Sequence, residues 1–569
     1  MKTIKHIVCS LFIAMGLTGC EDFFDTLPMN EVVLENFWTD KNDVTSVVNS
    51  CYESLETEDC LVRMGVWGEM RSDNLKPGSN PSDEIIQVLK ENILPTNSMC
   101  NWLIFYQTIN RCNTVCHYAP HVQAIDPNYT ESEMRAHIAE VSAIRALCYF
   151  YLIRTFRDVP YTSQPSIDDS QAYVLPATPF NDVLDSLITD LESVKDYAVR
   201  RYYLDDSSNA YQNSSRITRV AIWAILADLY LWKGDWDNCI KYCDLVLNFK
   251  RQQYEDRLER EGSVNDIALF GEIPMILEKP SGSNTYGHSY NAIFGDKNSF
   301  ESIFELYFET NQSRMNTYVG NYYGNRDNST GRLAAPDFLR QDVTTGQNSL
   351  FKKIDGRAYA SIAMESQSYY PRKFYFQSVN FTTQSVTSES SIQFSSSIRS
   401  QNDANWIFYR LSDAILMKAE ALIQRGNVDT LGVAVDFQNA FHLINTVNKR
   451  AIDASPISSR TDTLKLADYV SSKVEMENLL LEERQREFLF EGKRWFDLVR
   501  MARRDGNNTR LSTLVTRKYI DNVNAIKIKL ANPNRIYFPY AKSELKVNPL
   551  LKQNTAYNDT EDTELTTKK

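Results

Sequence analysis

The stretch Glu483-Arg-Gln-Arg-Glu-Phe-Leu-Phe-Glu-Gly-Lys-Arg-Trp-Phe-Asp-Leu-Val-Arg500 lies inside a long helical pattern from Lys473 to Arg503. Glu483, Glu487 and Glu491 recur at every fourth residue, with Arg484, Arg486 and Arg494 among them. Residues four apart are neighbours on a helix, so the acids form one ridge. Arginines beside them predict ion pairs, on the helix surface or to a second helix. Gly492 interrupts the pattern and reads as a helix break. Two carboxyls roughly 5–10 Å apart would suit a glycosidase. Acids on one ridge with arginines nearby are explained by ion pairing instead, and no catalytic residue is assigned.

Working outward, most of the readable periodicity is helical. Thr130 and Glu133 form a capping-box pattern, followed at helical spacing by Met134, Ile138, Val141, Leu147, Cys148 and Tyr151. That helix should stop near Arg157, ahead of Pro160. Ile217 to Trp232 predicts another helix, with Gly234 as its left-handed stop and Asp235 as the cap of the next, which should reach about Asn248. The same helix–turn–helix pattern returns at Tyr409–Arg425, Gly426-Asn427 and Ala434–Arg450. Small residues among large ones resemble tetratricopeptide packing, without a strict 34-residue period.

Residues 262–405 differ in texture, being rich in Gly, Ser, Asn and Tyr. Such a segment predicts irregular, exposed structure on a rigid frame, where binding function concentrates. Sugar recognition needs flat rings against pyranose C–H faces and polar groups for hydroxyls. Two regions offer both. One holds Trp67, Asp73 and Asn74. The other holds Tyr286, His288, Tyr290, Tyr318, Asn321, Tyr322 and Tyr323, with the Tyr318–Tyr323 cluster expected at the surface. Trp102, in an amphipathic helix with Phe105, Tyr106 and Ile109, reads as core.

The chain has 569 residues and a formal net charge of −12, too acidic for a nucleic-acid binder. Its 43% hydrophobic content excludes wholesale disorder. Residues 1–19 read as a signal peptide: Lys2 and Lys5 precede the apolar run Ile7–Leu17, and Leu17-Thr-Gly-Cys20 follows. A cysteine at the first mature position resembles a bacterial lipobox, so Cys20 is the expected acylation site. Several acyl chains anchor firmly, at ~0.8 kcal/mol per buried CH₂. Removal of the signal, which holds two lysines, takes the charge from −12 to −14. No later run of about 18 apolar residues predicts a second membrane-crossing segment. Eight further cysteines lie between residues 51 and 243. Their spacing is not that of a zinc module, and they read as buried small hydrophobes. Export would permit disulfides. No P-loop, dinucleotide fingerprint, HExxH or Gly-x-Ser-x-Gly pattern is present, and neither a metal nor a cofactor is expected.

The Glu483–Arg500 stretch is similar to the signature helix and turn of the SusD/RagB family of nutrient-binding outer-membrane lipoproteins. Phe538-Pro539, Glu544 and Asn548-Pro-Leu-Leu-Lys-Gln-Asn554 resemble its closing segment. Arg145-Ala-Leu-Cys-Tyr-Phe-Tyr-Leu152 with Asp158-Val-Pro160 resembles its early helix, and Asn36-Phe-Trp-Thr39 through Tyr52 its N-terminal helix. The resemblance implies a mainly α, SusD-like fold, with tetratricopeptide-like hairpins packed on an irregular, loop-rich ligand-binding half. The expected division is a single domain over 20–569: a frame at about 30–260 and 405–505, a loop-rich insert at about 262–405, and a polar, disordered tail from about 555. It further implies a non-catalytic, lipid-anchored protein on the outer face of the outer membrane. Such a protein would bind a glycan, or in some members a peptide, and deliver it to a SusC-like TonB-dependent transporter. Two other classes are compatible with parts of the sequence: a helical glycoside hydrolase, and a scaffold lipoprotein holding another protein.

Overall fold

Polar caps followed by an apolar 3.6-residue period set the helical frame. The computed structural model describes residues 37–557, apart from 168–173, 204–207, 284, 310–314, 325–329, 341–348, 352–354, 366, 384–391, 427–434, 454–463, 470 and 471. The signal peptide, Cys20 and Asn36 lie outside the described residues. Asp40 accepts hydrogen bonds from the Asn42 and Asp43 amides and starts α1 (Lys41–Glu56). Helices α2 (Glu58–Gly65), α3 (Asp83–Leu89) and α4 (Leu103–Ile125) follow. The Thr130–Glu133 capping box forms as the sequence predicts and opens α5 (Glu131–Phe156), which stops just before Arg157. This helix is long and apolar enough to cross a membrane, although charged residues interrupt its apolar run. Its apolar window is 83% buried inside the protein, the mark of a core helix.

After α6 (Phe180–Val194), the hairpin α7 (Arg219–Lys233) and α8 (Trp236–Glu261) turns at Gly234, whose φ of +81° suits glycine. Asp235 accepts from the Asn238 amide and caps α8. Helix α8 runs well beyond the expected end at Asn248, to a left-handed Gly262. Its buried stripe ends at Lys250. The extension is held by pairs four residues apart, Arg251–Glu255 and Arg257–Glu261, so the apolar period fades while the helix continues.

The segment after α8 forms antiparallel two-stranded ribbons. These pair β1 (Ile267–Phe270) with β2 (Ile273–Ile276), β4 (Ile362–Glu365) with β5 (Ser368–Pro371), and β6 (Phe376–Thr383) with β7 (Ile392–Ile398). Strand β3 (Ser302–Leu306) pairs instead with β8 (Trp406–Arg410), closing the insert where it rejoins the frame. Tyr409, read as a helix start, therefore ends β8, and α9 (Leu411–Arg425) begins directly after it. Two-stranded ribbons are marginal alone, so these depend on the frame they pack against.

Helix α10 (Val435–Asp453) completes the second hairpin with α9. Each helix from α4 to α10 packs on its sequence neighbour, including α8 on α9, although residues 262–410 separate those two. The insert is therefore an excursion from an otherwise continuous stack of helices.

The signature stretch forms the end of α11 (Lys473–Glu487), a turn with left-handed Phe490 and Gly492, and α12 (Arg494–Asp505). Its acids were expected on the surface or between helices. All three are buried. Glu487 accepts from Arg410 (2.6 Å), Arg450 (2.7 Å) and Arg357 (2.8 Å). Glu491 accepts from Lys373 and Arg410, and Glu483 from Arg357, Arg486 and Asn448. Burial pushes the Glu487 carboxyl up, but the Arg410, Arg450 and Arg357 guanidiniums outweigh it and hold the acid well below the usual range. Arg357 and Lys373 belong to the insert, and Arg410 and Arg450 to the frame, so Glu487 and Glu491 join the two.

The turn also meets residues 66–70. A Cβ on Gly68 would lie 1.8 Å from the Gly492 carbonyl oxygen. Next to it the Glu69 carboxylate accepts from the Phe490 and Lys493 amides (3.2 and 3.1 Å). Short helices α13 (Thr509–Val515), α14 (Val523–Ala531) and α15 (Lys542–Val547) lead to the end. The closing segment returns to the frame, with the Phe538 amide donating to Thr155. The polar tail is ordered further than expected: Tyr557 is buried and donates to Tyr537, while 558–569 lie outside the described residues. The eight described cysteines are unpaired thiols, buried except for half-buried Cys116. Among the described residues no His, Cys, Asp and Glu side chains cluster as a metal site.

Candidate functional site

Most residues proposed from sequence are inside the protein. Trp67 donates to the Met99 carbonyl and stacks on Phe105. Asp73 accepts both arms of Arg494, and Asn74 bridges Glu69 and Gln485. Tyr290 donates to the Phe376 carbonyl. Tyr318, Tyr322 and Tyr323 are buried, against the expected exposure. Tyr318 lies over Gly65 and edge-on to Trp406, Tyr322 stacks on Tyr318, and Tyr323 donates to the Phe490 carbonyl. Gly65 has a physical reason here: a Cβ would come within 2.2 Å of the Tyr318 ring. The glycine admits an aromatic ring rather than loosening a loop. Tyr286 and His288 are half-buried and Asn321 is exposed, its amide donating to Glu58. Trp102 is core, as read.

A cleft of about 630 Å³ opens elsewhere, where the insert meets the helical frame. That volume falls within the ~300–1,000 Å³ of small-ligand sites. Three walls form it, and none of the ten proposed residues lines it. The first wall is the 200–220 connection, with Arg200, Arg201, Tyr211 and Asn213. Asn213 fixes this wall by accepting from the Tyr202 and Tyr203 amides and donating to the Tyr203 carbonyl. The second is the far half of α8, where Phe249, Gln253, Arg257 and Arg260 follow helical spacing on one face. The charged extension missed in the sequence is thus a wall of the cleft.

The third wall is the turn Asp296–Ser302 with Tyr307. Lys297 and Asn298 take left-handed backbone (φ +68° and +45°). That conformation lets the Asn298 amide group donate to the Ser214 hydroxyl at 2.9 Å, joining the third wall to the first. Tyr211 and Tyr307 stack across this seam, with ring centroids 4.5 Å apart. Both are half-buried, as are Phe249 and Phe300. Lys250 donates to the Phe300 and Ser302 carbonyls, and Lys297 to those of Phe308 and Asp403. Burial draws the Lys297 ammonium below its ordinary value, against the pull of Asp403. Arg257 sits between Glu261 and Asp266, and those acids outweigh burial to raise its value.

A second cleft, of about 600 Å³, lies between the start of α4 and α15. Leu103, Val174 and Val547 are exposed there, and Asn110 and Asn113 already donate to the backbone at 162–166. Aromatic faces beside many donors occur in the first cleft.

The residues that line the first cleft are scattered over 200–307. The signal available in sequence was Arg200-Arg201-Tyr202-Tyr203, a cationic and aromatic run between helices.

The stacked hairpins, the long insert and the buried signature turn define a SusD-type fold. The chain is similar to the SusD family, whose profile matches residues 283–557. SusD-like protein P38 of Formosa agariphila is 24% identical over 98% of this chain and all of that protein. A crystal structure of a SusD superfamily protein from Bacteroides vulgatus superposes with TM-score 0.63 at 18% identity, over 91% of this chain and all of that one. Surface glycan-binding protein A from Bacteroides uniformis gives 0.60 at 18% identity, over 91% of this chain and all of that one.

Proposed function

We propose that this protein is a non-catalytic glycan-binding lipoprotein, anchored through acylated Cys20 on the outer face of the outer membrane, which passes its ligand to a SusC-like TonB-dependent transporter. The observation that carries the reading is the cleft, where half-buried aromatic rings stand beside amide and guanidinium donors. Apolar ring faces cover the C–H faces of a pyranose, and the donors meet its hydroxyls. The match to the SusD family profile and the name of the B. uniformis relative support a carbohydrate ligand. Among the described lining residues, the Glu261 carboxylate is engaged by Arg257 and Arg260. Glu483, Glu487 and Glu491 are sealed from substrate by the arginines that hold them.

The test is calorimetry and affinity electrophoresis of the detergent-extracted full chain against a broad glycan panel and a peptide pool. Tyr307→Ala and Tyr211→Ala should each weaken the bound glycan by roughly tenfold, as loss of an aromatic platform does. Binding of peptides with no glycan binding would sink the carbohydrate reading. Co-extraction with a β-barrel transporter tests the delivery step.

A further inference from the structure

The charge inside the cleft opposes that of the chain. The protein carries a net charge of −12, yet among the described residues Arg200, Arg201, Lys250, Arg257, Arg260 and Lys297 line the cleft against two carboxylates, Glu261 and Asp296. Two of the cations are committed to structure. Lys250 is bonded to two carbonyls at 2.6 and 2.9 Å, and Lys297 to two carbonyls at 2.8 and 3.0 Å. Arg257 is balanced by Glu261 and by Asp266 behind the wall. Glu261 must also serve Arg260, at 3.4 Å. One carboxylate is therefore shared by two guanidiniums. On the opposite wall the exposed Arg200 guanidinium has its nearest recorded aromatic partner in Phe249, at 5.8 Å. Arg201 stands next to it, half-buried. The cleft mouth thus presents guanidiniums from two walls, with the Tyr211–Tyr307 stack near them.

We propose that the ligand is an anionic glycan whose carboxylate or sulfate groups are met by Arg200 and Arg260, while its rings lie on the cleft aromatics. A neutral sugar needs donors but no surplus of positive charge. A guanidinium fork matches a carboxylate or sulfate oxygen pair bidentately, and those charge-assisted bonds are the stronger kind. Aromatic faces beside the arginines favour a sugar chain over a simple acidic peptide, which has no flat C–H face to cover. The inference rests on the glycan-binding reading above and deepens it.

The experiment measures affinity of the detergent-extracted full chain for four probes: oligogalacturonate, chondroitin sulfate, a neutral β-glucan and poly-glutamate. At least one of the first two should bind, and raising salt from about 0.05 M to about 0.5 M should weaken it markedly, because exposed charges are screened. Oligogalacturonate alone marks a carboxylate ligand, and chondroitin sulfate with loss on desulfation marks a sulfate ligand. The double variant Arg200→Glu/Arg260→Glu changes exposed side chains and should lose about tenfold or more for the anionic glycan. Its thermal midpoint serves as the check on folding. Arg200→Lys should recover part of the affinity. Binding of the neutral glucan alone, or an anionic glycan that ignores both salt and the double variant, overturns the inference and leaves the glycan reading standing. Poly-glutamate binding as tightly as the glycans, or no binding by any saccharide on the broad panel, overturns both.

Discussion

Replacing Glu487 by Gln keeps the shape of the side chain and removes its charge. Arg410, Arg450 and Arg357 all point at this one carboxylate, and all are largely or wholly buried. After the change, Arg410 still reaches Glu491 and Arg450 still reaches Glu301, while Arg357 keeps Asp355 and Glu483. The network survives with one negative charge fewer than it was built around. Breaking a buried ion pair by removing one partner costs about 3–5 kcal/mol. With about 2.1 cal/mol/K of unfolding entropy per residue over residues 37–557, one kcal/mol corresponds to about 1 °C in the midpoint. Glu487→Gln should therefore melt about 3–5 °C lower in calorimetry. Glu482→Gln is the control, because Glu482 lies on the same helix with 58% of its side chain exposed and a 3.6 Å contact to Arg486. Exposed pairs contribute about 0–1 kcal/mol, so the control should move by no more than about 1 °C. Equal shifts in the two variants would refute the view that these glutamates join the insert to the frame.

Two further outcomes follow from the same region. Gly68→Ala places a Cβ against the Gly492 carbonyl, backbone against backbone, and should cost at least about 1–3 kcal/mol by denaturant melting. Gly271→Ala, where a Cβ meets nothing within 4 Å, carries only the strain of its positive φ and should cost less; an equal loss in both contradicts the close contact. Burial raises the Glu69 carboxyl to about 7, against hydrogen bonds from Asn74 and the Phe490 and Lys493 amides. Its folded value exceeds the unfolded one, so its stabilising share is full below about pH 4.5 and is lost as pH rises through 7. Between pH 5 and 8, Glu69→Gln should lose less stability in urea than the parent, and parallel pH profiles would contradict the assignment.

The helical frame was legible because its signals are local. Thr130 and Glu133 cap one another within four residues, and Gly234 and Asp235 turn one hairpin. The signature stretch identified the family from its own residues, although the depth of its acids depended on partners as far away as Arg357. The end of α8 was hidden because ion pairs, not apolar residues, sustain it past Lys250. The tyrosine cluster misled for a different reason. A glycine beside tyrosines looks alike whether it serves a turn or a close approach, and Gly320 serves a close approach, since a Cβ there would come within 2.2 Å of the Asn402 side chain. Of the cleft, only the cationic and aromatic run Arg200–Tyr203 stands out in the sequence. Tyr211 and Tyr307 stack across almost a hundred residues of chain, and no periodicity encodes that distance.

The insert leaves and re-enters a stack that is already continuous, because α8 touches α9 directly. Inside the insert, β3 returns to pair with β8, just before the chain enters α9. A loop whose ends are already together tolerates changes of length well, since each doubling costs only about 0.6 kcal/mol of closure entropy. The scaffold behaves as a socket and the excursion as an interchangeable fitting. The excursion carries only the Asp296–Ser302 and Tyr307 wall of the cleft, so a change in the insert would reshape one wall while Arg200 and Arg260 stay on the stacked helices and their connections.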